Sequence, residues 1–406
     1  MARAKRNTAA NRIRPALLAF ACMVLAAFVA STVLERWEGQ YLARMATTGE
    51  DEVVKGMALT RMALDRPDML VLMGSSELTF QDDYHPARLF AGQPDGFSVY
   101  VVGSGYRQSI HQFLTIAAMG SQASGKPLVL FLSPSWFSKT IADKAYQKNF
   151  SLLQAYEFAF SSPLSPSLKA RAARRLLALG RPVTDDTLLH TALASLAGAD
   201  PGDRVRYALL WPLGRAELAE LRLKDQIDLL RYILKHRVKP AAPSTKTASL
   251  DWDALTAKAT VEAKAMTDNN DFGIQRDYYS KYVAPHLPEL KDSATSEDWS
   301  DSSEYGDLSL VLDALQELHA KPMFVSLPVL GTYYDYKGHP VADRQAYYQR
   351  VRQQIQRLGF PVVDFGNKEY EPGFLRDPWH PGWKGALAID QALVQFHRGT
   401  LPDTYR

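Results

Sequence analysis

Five short apolar runs, each stopping at small or turn-forming residues, set the tightest limit on how this chain can fold. They cover residues 69–73 before Gly74-Ser75-Ser76, 97–102 before Gly103-Ser104-Gly105, and 128–132 before Ser133-Pro134-Ser135. Two more follow late in the chain, 323–327 before Pro328 and 361–365 before Gly366-Asn367. Unbroken rather than alternating hydrophobicity marks strands covered on both faces, as parallel strands are. Helix-like stretches at 108–119, 307–318 and 344–358 are the expected covers. The expectation is an α/β fold, a parallel sheet flanked by helices. In such sheets the binding crevice lies beyond the carboxyl ends of the strands, so Ser76, Gly103, Gly105 and Ser133 should collect on one rim.

With 406 residues, 46% apolar and 22% charged, the chain can bury a sizeable core. Its basic pI of 8.7 is a local effect. Residues 1–14 carry five bases and no acid; the rest holds 42 basic against 44 acidic residues. A near-neutral body argues against nucleic acid as a partner, since phosphate binding needs a basic face. Residues 15–34 are uncharged and apolar, long enough to cross a bilayer as a helix. The basic tail before them predicts a cytoplasmic N-terminus and everything beyond Glu35 outside. A cleaved signal peptide is the competing reading, with small residues near Ala27 and Ala30. Cys22, inside this segment, is the only cysteine, so the outer part has no disulfides.

The expected organisation is a basic tail (1–14), a transmembrane anchor (15–34), a helix-prone stalk (35–60) and one outer domain (61–406). From about 138 to 300 the pattern shifts to Leu-, Ala- and Arg-rich helical periodicity, read as a helical insertion. Whether it caps the rim or serves as scaffold stays open at this point.

Ser76 follows a strand on a glycine-led turn, where a hydroxyl is free to act as nucleophile, and Ser75 beside it is the expected helix cap. The helix start behind Ser76 would aim backbone N–H groups at a developing oxyanion. Near the far end, Asp377 and His380 stand three residues apart. In a helical turn they would share a face, the carboxylate orienting an imidazole that accepts a proton from Ser76. Gly382-Trp383-Lys384-Gly385 and an amphipathic helix to about residue 396 come next. His85, His111, His319 and His339 lack metal-ligand spacing, and Gly103-Ser104-Gly105 lacks the third glycine of a dinucleotide loop. No metal and no cofactor are expected. Trp136, Tyr334 and Trp383 are candidates for a substrate wall, with core packing as the alternative.

Several blocks go beyond their chemistry. Gly74-Ser75-Ser76-Glu77-Leu78 with His85-Pro86 resembles the first block of the DltD family. Gly103 to Ser109, Ser133-Pro134-Ser135-Trp136-Phe137, and Leu327-Pro328-Val329 with Tyr334 to Gly338 resemble later ones. Asp377-x-x-His380-x-Gly382-Trp383-Lys384-Gly385 resembles the closing block, so the resemblance runs through nearly the whole chain. It implies a membrane-anchored, SGNH/GDSL-hydrolase-like fold, with Ser76 as nucleophile, His380 as base and Asp377 as its partner. Gly105 would give an oxyanion N–H. The usual oxyanion Asn has no counterpart, leaving Ser133, Ser135 or a backbone N–H, and Leu330 stands where the family tends to have Asn. The implied activity is D-alanyl transfer to a cell-envelope polymer, teichoic acid or another glycan. The implied partners are a DltB-like membrane acyltransferase and, indirectly, a D-alanyl carrier protein. Three functions stay open on the residues: an acyltransferase using a Ser76 ester, an esterase or thioesterase with water as acceptor, and a non-catalytic adaptor.

Overall fold

All five apolar runs become strands in the computed structural model. Residues 36–79, 82–93, 95–138, 143–241 and 250–405 are described, with isolated positions between 15 and 34. The strands are β1 (Met69–Gly74), β2 (Ser98–Gly103), β3 (Pro127–Leu132), β4 (Lys321–Ser326) and β5 (Val362–Asp364). They form one sheet in the order β2-β1-β3-β4-β5, every pairing parallel. Register pairs Met69 with Ser98 and Leu128 with Pro322. All six residues of β1 are buried, as a strand covered on both faces requires.

The covering helices of the sheet fall where periodicity placed them. Labelled in chain order, the helices used below are α1 (Ala58–Asp65), α2 (Ser109–Met119), α3 (Leu152–Phe160), α4 (Pro166–Ala178), α5 (Thr187–Ala197), α6 (Pro201–Lys235), α7 (Trp252–Thr267), α8 (Glu304–Glu317), α9 (Val341–Gln356) and α10 (Trp383–Arg398). Helix α2 is buried on every side because α3 and α8 both pack on it. The strand order reverses direction at β1, whose neighbours are β2 and β3. That switch point opens a crevice at the carboxyl ends of β1 and β3, where Ser76 and Ser133 lie.

Two expectations change. The stretch read as a stalk is built into the body: Tyr41, Leu42, Met45, Val53, Val54 and Met57 are buried, and the Val101 N–H donates to the Ala46 carbonyl at 2.6 Å. Its apolar residues are interleaved with polar ones at helical spacing, and tertiary contact with β2 decides their burial. The insertion is chiefly scaffold between 152 and 235, since α3 lies on α2, α4 on α8, and α5 and α6 stack outside. Its later part differs: α7 packs on α10, and the Gln275 N–H donates to the Arg376 carbonyl at 2.7 Å. Among the described residues no helix is long and apolar enough to cross a membrane. The run 15–34 falls mostly outside the described residues, as does the loop 242–249.

Candidate active site

Strand β1 delivers Ser76 to the rim through a very tight turn. Ser76–Leu78 is a single 3-10 turn rather than the start of a long helix, so its dipole contributes little. Gly74 and Gly103 make the turn possible: a Cβ on Gly74 would strike the Glu77 carboxylate, and one on Gly103 would stand 2.7 Å from Leu78 Cβ. Ser75 does not cap the turn. Its hydroxyl donates instead to the Ser104 carbonyl at 3.3 Å, joining the loops after β1 and β2. The Ser75 N–H donates to Glu77 Oε1 at 2.5 Å. Burial raises the pKa of Glu77, against the lowering effect of that hydrogen bond.

Asp377 and His380 do share one small structure, but it is a closed loop and not a helical turn. Pro378 disfavours helical angles at the residue before it, and Pro381 does the same for His380. The Arg376 N–H donates to the His380 carbonyl at 3.0 Å, and Leu375 bridges Pro381. Asp377 Oδ1 accepts the Trp379 and His380 N–H groups, both at 3.0 Å. These bonds fix the carboxylate with its remaining lone pairs facing the imidazole. His380 Nδ1 lies 2.7 Å from Asp377 Oδ2 and 2.9 Å from Oδ1. His380 Nε2 lies 2.8 Å from Ser76 Oγ. The Asp377 side chain is 1% exposed and that of His380 13%; Ser76 is half-buried. Residues 304 positions apart thus form one hydrogen-bonded chain from carboxylate to hydroxyl.

The remaining candidates divide. Gly105 faces the site, since a Cβ there would be 4.0 Å from Ser76 Cβ. Ser133 Oγ sits 2.9 Å from Ser135 Oγ, both at the carboxyl end of β3. Trp136, Tyr334 and Trp383 are 4%, 2% and 6% exposed, and their rings lie within the core. Tyr334 accepts a 2.7 Å hydrogen bond from Trp379 Nε1, and Trp379 meets the His380 ring edge-to-face, so Tyr334 braces the imidazole through its neighbour.

Some participants were not read from the sequence. Asn149 Nδ2 donates to the Gly105 carbonyl at 3.0 Å, fixing that peptide's orientation. Tyr106 has φ +73°, a left-handed conformation uncommon for a bulky side chain, and it is 67% exposed. Arg376 pairs with Asp82 and donates to the Pro381 carbonyl at 3.0 Å, tying the segment after Ser76 to the His380 loop. Each depends on a contact between distant segments.

Comparison with known proteins agrees with this frame. The family model described as "DltD protein" matches residues 46–398. Protein DltD of Bacillus subtilis (strain 168) is 33% identical over 389 residues, covering 95% of this chain and 96% of the Bacillus protein. Protein DltD of Lacticaseibacillus rhamnosus is 29% identical over 366 residues, 88% of this chain and 84% of its own length. That of Staphylococcus aureus (strain NCTC 8325 / PS 47) is 25% identical over 355 residues, 87% of each chain. With the match spanning sheet, insertion and both loops of the site, this chain belongs to the DltD family.

Proposed function

We propose that this chain is an SGNH-type serine acyltransferase that delivers D-alanyl groups to a cell-envelope polymer outside the membrane. The observation that carries the reading is the hydrogen-bonded chain Ser76 Oγ–His380 Nε2–Asp377, with 2.8 and 2.7 Å links. Ser76 Oγ attacks the carbonyl carbon of the activated D-alanyl group while Nε2 takes its proton. Asp377 holds the Nδ1 proton and stabilises the imidazolium. The Gly105 N–H points toward the oxyanion of the tetrahedral intermediate, and Asn149 steadies the peptide that follows through the Gly105 carbonyl. Collapse expels the carrier, which leaves with the proton from His380, and a D-alanyl ester stays on Ser76. An acceptor hydroxyl then gives its proton to Nε2 and attacks the ester, and as the ester bond breaks Nε2 returns the proton to Ser76 Oγ. Exposed Tyr106, beside Gly105, is the ring best placed to meet a polymeric acceptor. The basic tail and apolar run 1–34 support a single-pass anchor with a cytoplasmic N-terminus, placing the site near a DltB-like partner.

An esterase or thioesterase would use the same atoms with water as acceptor, and half-exposed Ser76 leaves that route open. Fluorophosphonate labelling with intact-mass readout tests the nucleophile. We expect one adduct, on Ser76, lost in Ser76→Ala and slowed severely in His380→Ala. Envelope D-alanyl ester should vanish in cells carrying either variant. Adduct formation with normal ester levels in Ser76→Ala cells would overturn the transferase and leave the hydrolase.

A further inference from the structure

Helix α6 carries an apolar line that faces away from the protein. At 3.6 residues per turn, Val205, Leu209, Leu213, Leu223, Ile227 and Leu234 fall within roughly a quarter of the circumference. The opposite face, with Gly214, Leu218, Leu229 and Ile233, is buried on the body. Val205, Leu209, Leu213 and Leu234 are 60%, 73%, 61% and 63% exposed. The line spans about 44 Å at 1.5 Å per residue, and Glu220 and Arg231 are the charged residues that fall within its arc. An exposed apolar line this long, on one face of a regular helix, marks a contact with something apolar and extended.

The occupant follows from position and charge. Just past the end of α6, the Ala241 N–H donates to the Gln40 carbonyl at 3.1 Å. Gln40 is six residues beyond the apolar run 15–34. If that run spans a bilayer, as the proposed function holds, the membrane surface lies at this end of α6. Residues 201–239 hold nine basic and five acidic residues; Arg206, Lys224 and Lys235 lie on one flank of the apolar line, where Arg206 pairs with Asp203 and Lys224 with Asp228. An apolar face on a segment with a net basic balance fits a helix lying in the plane of an anionic lipid surface. We propose that α6 is such an in-plane helix: its outward line docks on the outer surface of the anchoring membrane and sets the orientation of the body.

The test uses the full chain in vesicles of phosphatidylglycerol and phosphatidylcholine. Cys22→Ser removes the native thiol, and Leu209→Cys, Leu213→Cys or Leu223→Cys places a nitroxide on the line, with Lys321→Cys as a water-exposed reference. Docking predicts that the three line positions gain accessibility to oxygen and lose it to a water-soluble nickel chelate, while Lys321 does not. The paired change Leu209→Glu and Leu213→Glu should abolish protection at position 223 with the unfolding midpoint unchanged. Nickel accessibility at the line equal to that at Lys321, in protein that resists carbonate extraction, overturns the docking face and leaves the anchor intact. Release by carbonate overturns the anchor reading itself, and docking with it. Spin–spin broadening that disappears on dilution with unlabelled protein assigns the line to a second copy and also overturns the proposal.

Discussion

At the scale of single residues, the candidate site is shaped by groups outside the Ser76–His380–Asp377 chain itself. Glu77 is the clearest case, because its buried carboxyl accepts the Ser75 N–H and thereby holds the turn that presents Ser76. An amide oxygen accepts the same bond, so Glu77→Gln should keep both fold and fluorophosphonate labelling. Glu77→Ala leaves a buried N–H unpaired, costing about 1–3 kcal/mol, and should slow labelling along with lowering the unfolding midpoint. Equal labelling in both variants would remove Glu77 from the positioning role. Ser76, His380 and Asp377 could be picked from the sequence because hydroxyl, imidazole and carboxylate are distinctive chemistries on turn signals. Glu77 could not, since its partner is chosen by how a three-residue turn folds back.

Among the elements, α6 shows how one atom's space can fix packing. Gly214 lies against the Phe160 ring at the end of α3, where a Cβ would overlap the ring edge. Gly214→Ala should improve helix propensity yet destabilise the protein by about 1–3 kcal/mol through overpacking. Calorimetry would check the sign, and a raised midpoint would mean that Phe160 moves aside freely. The strands and sheet-covering helices were legible because burial on both faces writes a continuous apolar run, and amphipathic packing writes a 3.6-residue period. The joined length of α6 was not, as Pro212 inside it reads as a break. The Asp377–His380 loop escaped for a related reason: an i, i+3 pair is compatible with a helical turn, and only Pro378 and Pro381 tip it into a closed loop.

For the molecule as a whole, two buried histidines link stability to pH. His85 Nδ1 accepts the Ala87 N–H at 3.1 Å, and His111 Nδ1 accepts the Gln108 N–H at 3.2 Å. Burial lowers the first to about 4 and the second to about 3. The unfolded chain takes up these protons near pH 6.5, whereas the folded chain resists until about 4 and 3. Their stabilising contribution is therefore complete above pH 6.5 and is lost as pH falls toward 4, by at most about 1.4 kcal/mol per pH unit for each histidine. Urea titrations at pH 7, 6 and 5 should show falling stability, with a shallower slope in His111→Gln. A slope unaltered by that change would show that other groups set the acid limb.

The sequence by itself determined the strands, the sheet class and the three residues proposed to carry the chemistry, because burial and chemical character are properties of residue type and local spacing. Tertiary structure alone decided the strand order that opens the crevice at β1 and β3, and the 2.8 Å approach of His380 to Ser76. It alone also decided the burial of Trp136, Tyr334 and Trp383, and the return of residues 270–279 to brace the Asp377 loop. Each of these is a distance between segments far apart in the chain. Such distances are set by how sheet and helices pack, and no local pattern of residues encodes them.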